Sequence, residues 1–385
     1  MKTIRLFSLA ALSLAVSMTS CSSTDGDFSG DTPWDQLSPE EQRSAIIQMD
    51  TVAKYYVDYT VVPTYAIMLE KINALNDAVQ AFVAGGTQTQ LNTACDAWRQ
   101  ARIPWEESEA FLFGPADYEG LDPNLDSWPL DKDGIDQLLI SQDFGQIETG
   151  GKDDAGVEAA QGLRGYHTLE YLLFLDGNYR DASTLDRSWK NYMQRVSILL
   201  AADTKSLYEA WTRDGHSELV PIAFGREFKL HNTQRFPTAQ SVIAQIVDGC
   251  MDIASEVGGT KIGDPYYKYN SGDREGGLYA VESWYSWNSI DDYENNMISI
   301  ENTYLGGRSE LRDESKSLSA LVRQIDADTD AEIRTRIQEA RSKIRAIPYP
   351  FRNSLSRHTE VQAAMKACSD LEASLLKIKR VLGLN

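Results

Sequence analysis

The chain has 385 residues, 42% of them hydrophobic and 24% charged, with 57 acidic against 37 basic side chains and a net charge of −20. Such a composition is globular: it excludes collagen, coiled-coil rods and wholesale disorder, and the length suits two domains of ordinary size. So acidic a chain repels phosphate backbones, and no basic patch offsets the charge, so nucleic acid is not an expected partner.

Lys2 and Arg5 precede an apolar stretch from Leu6 to Val16, and small residues then lead to Cys21. This is the order of a secretory signal, too short to span a membrane. Cys21 at the cleavage point resembles the lipidated first residue of a mature bacterial lipoprotein, with residues 1–20 removed, and Ser22 behind it favours the outer membrane. Residues 21–37, rich in Ser, Asp, Gly and Thr, read as a flexible tether. Cys95, Cys250 and Cys368 are too widely spaced for a disulfide framework or a zinc knuckle and read as buried small hydrophobes.

The body reads as helix after helix. Ser38-Pro39-Glu40-Glu41 is a capping box, and Ile46, Met49, Val52, Ala53 and Tyr56 follow at steps of three and four. Pro63 should kink or break this run, which resumes to Gly85-Gly86. A third helix is predicted from about Gln90 to Phe113, then a long structured loop over 115–152 holding a short helix near Ile135–Ile140. Further helices are predicted at 156–175, 185–213, 238–257, 288–304, 315–346 and 357–382, with a polar, Gly-rich loop at 258–280. No stretch alternates like a strand. The expected fold is therefore all-α, two helical bundles packed side by side, 38–180 and 181–385, with the boundary somewhere in 176–236.

Of four histidines, only His167 has an acid three residues on, Glu170, which puts both side chains on one helix face. The surrounding helix, Gly162 to Phe174, is apolar, so Glu170 needs a cation, a metal or a donor network. A buried polar network with no chemical task would account for the same pair. On the third helix Arg102, Glu106 and Glu109 share a face among Trp98, Trp105, Phe111 and Phe113, so at least one acid there should point inward.

The segments Ala97-Trp98 to Phe111, Ser127-Trp128-Pro129-Leu130-Asp131 and Gly165-Tyr166-His167-Thr168-Leu169-Glu170 together resemble the imelysin-like family, whose hallmark is Gly-x-His-x-x-Glu. Glu282-Ser283-Trp284-Tyr285-Ser286, followed by Asp292, Asn296, Ile300 and Tyr304-Leu305-Gly306, is similar to that family's closing helix. The resemblance covers residues 40–385; Trp287 and Arg352 depart from it, standing where relatives often have His and Asp. It implies a two-domain helical protein with the His-x-x-Glu segment near the domain interface, and one of two functions, metallopeptidase or iron-regulated envelope protein in metal uptake.

A zinc peptidase ordinarily needs three protein ligands and a base, as in His-Glu-x-x-His, and the second histidine is absent here. One His with several carboxylates suits iron or another divalent metal, iron or zinc, held between facing helices. The leading expectation is a lipid-anchored envelope protein that binds a metal or a metal-containing ligand and works with an uptake partner protein. His167, Glu170, Glu106 and Glu109 are the candidate ligands. Arg102 would balance charge, and Trp128, Asp131, Gly165, Glu282, Ser286 and Asp292 would shape the pocket. A third expectation is a peptide- or glycan-binding surface made of Tyr266, Tyr267, Tyr269, Trp284, Tyr285 and Trp287.

Overall fold

In a computed structural model the described residues are 32–149 and 160–384. The signal segment, Cys21 and most of the expected tether lie outside them. Residues 32–37 are not tether: Thr32 and Asp35 close a turn, and the Trp34 ring packs beside Gly383 at the chain's other end.

The long helices are α1 (Pro39–Tyr56), α2 (Val62–Gly85), α3 (Gln88–Glu106), α9 (Arg187–Thr212), α11 (Ala239–Glu256), α14 (Ser289–Leu305), α16 (Ala327–Arg345) and α17 (His358–Leu382). Between them lie α4 (Pro115–Tyr118), α5 (Leu121–Asp126), α6 (Lys132–Ser141), α7 (Gln146–Thr149), α8 (Gly165–Leu173), α10 (Phe224–Leu230), α12 (Asp264–Asn270), α13 (Arg274–Tyr279) and α15 (Leu318–Ile325). The strands among the described residues, Phe174–Leu175 and Asn178–Tyr179, form one small hairpin. No described helix is long and apolar enough to cross a membrane.

The helical expectation holds, and the departures have physical causes. Pro63 does not break its helix. A π-helical segment, Val57–Val61, joins α1 to α2, and the Tyr59 carbonyl, which the proline cannot bond, accepts from the Arg308 N–H at 3.1 Å. Pro265 is met the same way. The stretch expected as loop from 258 is the π segment Val257–Gly263 leading into α12 and α13, and the freed Lys261 carbonyl accepts from the Tyr293 hydroxyl at 3.0 Å. The third helix ends at Glu106, past Pro104, and gives way to a 3-10 turn at Glu109–Phe111. The run predicted at 315–346 divides at Asp326, whose side chain accepts from the Asp328 and Thr329 N–H groups and starts α16.

From Thr32 onward the chain makes one compact unit. Within it α9 packs along α2, while α11, α14, α16 and α17 pack on one another and α3 crosses α14. One continuous core results, including the rings of Tyr65, Phe111, Trp211 and Phe228.

A buried carboxylate cluster at the crossing of α3 and α14

Where α3 crosses α14, the end of α5, the start of α8 and the segment before α14 converge. Arg102 lies at the centre with no exposed surface. It pairs with Glu106 one turn on and with Asp126, and its Nη2 lies 3.4 Å from both Glu282 and Asp292. The faces of Tyr166 and Trp98 flank the guanidinium at 5.0 and 5.8 Å.

His167 is positioned by backbone. Gly165 opens α8 at φ +84°, and a Cβ there would lie 2.4 Å from the Leu125 carbonyl oxygen, so α8 can start this close to α5 only at a glycine. One turn further, His167 Nδ1 meets Glu170 Oε2 at 3.1 Å, and Glu170 Oε1 accepts from both the N–H and the hydroxyl of Ser286 at 2.8 Å. The other ring nitrogen, Nε2, faces Asp126 Oδ1 at 3.2 Å and Glu282 Oε1 at 3.4 Å, yet makes no well-formed hydrogen bond among the described residues, although the residue is 1% exposed. Glu282 Oε2 also lacks one. The Trp128 ring stands edge-on to the imidazole at 4.7 Å, anchored by its Nε1–H donating to the Ala280 carbonyl.

Lys261 enters from the π segment. Its ammonium lies 3.2 Å from Glu109, 3.4 Å from Glu282 and 3.8 Å from Glu106. Asn296 donates to Glu106 at 2.6 Å and Asn288 to Asp292 at 2.7 Å. Six carboxylates (Glu106, Glu109, Asp126, Glu170, Glu282, Asp292) thus face Arg102, Lys261 and His167, a negative excess if all are ionised.

The titrations reflect that excess. Burial pushes Glu106 up to about 8 against the pull of Arg102 and Lys261. Burial likewise holds Glu109 well above, and Asp292 above, the usual carboxylate range. For Glu282 burial is outweighed by Lys261, His167 and Arg102, and its carboxyl is held low. For His167 burial favours the neutral ring, but the Asp126 charge and the Glu170 and Glu282 carboxylates raise it to about 10.

Among the described residues, two groups of side chains have ligand atoms close enough to share an ion: Asp126, His167 and Glu282, all within 4.8 Å of one another, and Glu106, Glu109 and Asp126. The structure therefore rearranges the expected ligand set. Glu170 sits on the far nitrogen of His167 and orients the ring. Glu282, expected as pocket wall, faces Nε2. Asp131 is not in the cluster at all: it caps α6 by accepting from the Gly134 N–H at 2.9 Å. Arg102, Trp128, Gly165, Ser286 and Asp292 are all at or beside the cluster.

Asp126 and Lys261 escaped sequence reasoning. Asp126 lies two residues before Trp128, in a stretch read as loop. Lys261 lay in the Gly-rich stretch read as loop, where only its apolar neighbours Val257 and Ile262 hinted at burial. The other histidines are elsewhere, His216 near Glu119, His231 on Asp50 and His358 on Tyr266. The aromatic surface is not a surface: Tyr266, Trp284 and Tyr285 are buried, and Tyr267 is the well-exposed member.

The comparisons agree with this architecture. The family model described as imelysin matches residues 61–378. Iron-regulated protein A of Synechococcus elongatus is 30% identical over 345 residues, covering 88% of each chain. A crystal structure from Parabacteroides distasonis, assigned as an iron-regulated protein A precursor, superposes with a TM-score of 0.83 at 39% identity, over 88% of this chain and 95% of that one. An imelysin-like protein from Psychrobacter arcticum shares the fold, with a TM-score of 0.67 at 13% identity over 88% and 97% of the two chains. The chain belongs to the imelysin family.

Proposed function

We propose that this protein binds one divalent metal ion, iron or zinc, through Asp126, His167 and Glu282, and that it serves metal uptake in the cell envelope. The observation that carries the reading is the buried His167 Nε2, which faces two carboxylates and makes no well-formed hydrogen bond among the described residues. A buried ring nitrogen that faces two carboxylates without a well-formed hydrogen bond is a place a cation can enter, and one imidazole with two carboxylates is a ligand set that iron and zinc accept. Glu170, on the other nitrogen, would fix the tautomer as a carboxylate behind a metal-bound histidine does. A bound cation would offset the cluster's excess negative charge, with Lys261 and Arg102 as its nearest competitors.

The relatives called iron-regulated protein A support the iron reading, and the Cys21 signal supports a lipid anchor in the outer membrane. Cys21→Ser should release the protein from the membrane fraction, and retention there would refute the anchor. The peptidase alternative would need a second histidine at the site, and His216, His231 and His358 are bonded elsewhere.

The test is metal uptake by the purified protein, titrated with Fe(II) and Zn(II) in a calorimeter. About one equivalent should bind, and His167→Gln or Glu282→Gln should weaken binding by about a hundredfold, each removing a ligand. Equal uptake by wild type and both variants would refute the site.

A further inference from the structure

Beside the cluster lies a cavity of about 770 Å³ whose wall includes Glu109, Asp126, Trp128, Lys261 and Glu282. That is room for a small organic molecule, far more than one ion needs. Its outer wall carries five more acids, Asp117, Asp122, Asp252, Glu256 and Asp264, and none of them enters an ion pair with a described residue. At its floor the buried Glu282 keeps Oε2 without a hydrogen bond, with the Lys261 ammonium 3.4 Å away.

We propose that this cavity binds a linear polyamine, with the methylene chain along the apolar wall and the ammonium groups on the unpaired acids. Three features carry this. First, the floor already holds a primary ammonium among carboxylates, since Lys261 Nζ contacts Glu109, Glu282 and Glu106. Second, Asp252 and Glu256 stand one turn apart on α11, a rise of about 6 Å, comparable to two ammonium groups joined by a three- or four-carbon chain. The π segment that follows brings Thr260, Lys261 and Asp264 onto the same wall. Third, Leu112, Phe113, Trp128 and Tyr279 give apolar surface between the charges, which methylenes can cover and a hydrated metal ion cannot. Asp126 and Glu282, ligands in the metal reading, also line this cavity, but Asp252 and Glu256 on α11 are not ligands in that reading, so the two are tested separately.

The experiment titrates spermidine into the full chain at fixed ionic strength by calorimetry. Saturable binding near one equivalent is expected, weakened about tenfold in Asp252→Asn/Glu256→Gln, which removes charge-assisted contacts. A charge-matched control, Glu70→Gln/Glu218→Gln, changes exposed acids that do not line the cavity and should bind like wild type. Absence of saturable binding, or equal weakening in the control, overturns the proposal. Metal uptake should be unchanged in Asp252→Asn/Glu256→Gln and spermidine binding unchanged in His167→Gln. A wild-type protein that takes spermidine but no metal would refute the metal site alone.

Discussion

His167 and Glu170 are bonded to each other and do not converge on a common point: Glu170 Oε2 takes Nδ1 at 3.1 Å, while Nε2 turns the opposite way, toward Asp126 and Glu282. The three-residue spacing that makes the pair visible in sequence is also what fixes this arrangement. On a helix it places the carboxylate against the nearer ring nitrogen, and Ser286 locks it there with two hydrogen bonds.

Glu170→Gln should therefore alter the strength of metal binding and not its stoichiometry. The amide cannot accept from the imidazole and from both Ser286 donors as a carboxylate does, so the ring loses its orienting partner. A 10–100-fold loss of Zn(II) affinity with one equivalent still bound is expected from calorimetry, as is usual for groups behind a histidine ligand, about that range. Complete loss of uptake would make Glu170 a ligand, against its place on Nδ1.

Arg102 should matter to stability more than to metal binding. It is fully buried among Glu106, Asp126, Glu282 and Asp292, and removing it leaves carboxylates facing one another in a low dielectric. Arg102→Met should cost about 3–5 kcal/mol, read from the urea midpoint. Adding Asp292→Asn should return part of that loss, since one of the stranded charges is then gone. Strictly additive losses in the double variant would mean that the two side chains do not interact.

Much of the fold was legible because helix signals are local. The capping box at Ser38 and the periodic runs at 187–212, 239–256 and 358–382 gave element type and rough bounds. The departures were at Pro63, where a proline ordinarily stops a helix, and at 258–280, where a Gly-rich stretch ordinarily reads as loop. Here distant donors, the Arg308 N–H and the Tyr293 hydroxyl, satisfy the freed carbonyls, and no local rule can see them. At the site, His167, Arg102 and Glu106 were readable as polar groups on apolar faces. Asp126 was not, because it ends a six-residue helix with no periodicity, and its partners Arg102 and His167 are 24 and 41 residues away in the chain. Order in the chain likewise does not show that α9 returns to α2.

Away from the site, Glu301 on α14 gives a test of the pH dependence of stability. Its carboxylate lies 3.2 Å from Arg312 and 2.6 Å from Arg341, tying α14 to α16 and to the turn after Gly306. Burial alone would raise its pKa, but the two guanidiniums outweigh burial and hold it below the ordinary glutamate value. A carboxyl that is more acidic folded than unfolded binds its proton more weakly in the native state. Its stabilising contribution is therefore complete above the unfolded value of about 4.3 and disappears as pH falls through the folded one. Glu301→Gln should lower stability by about 1 kcal/mol at pH 7, a figure discounted for partial exposure. The gap from wild type should close as urea unfolding is repeated at successively lower pH below that range. A gap that stays constant into acid would show that Glu301 acts through packing and the amide-compatible hydrogen bond to Gln338, with its charge contributing nothing.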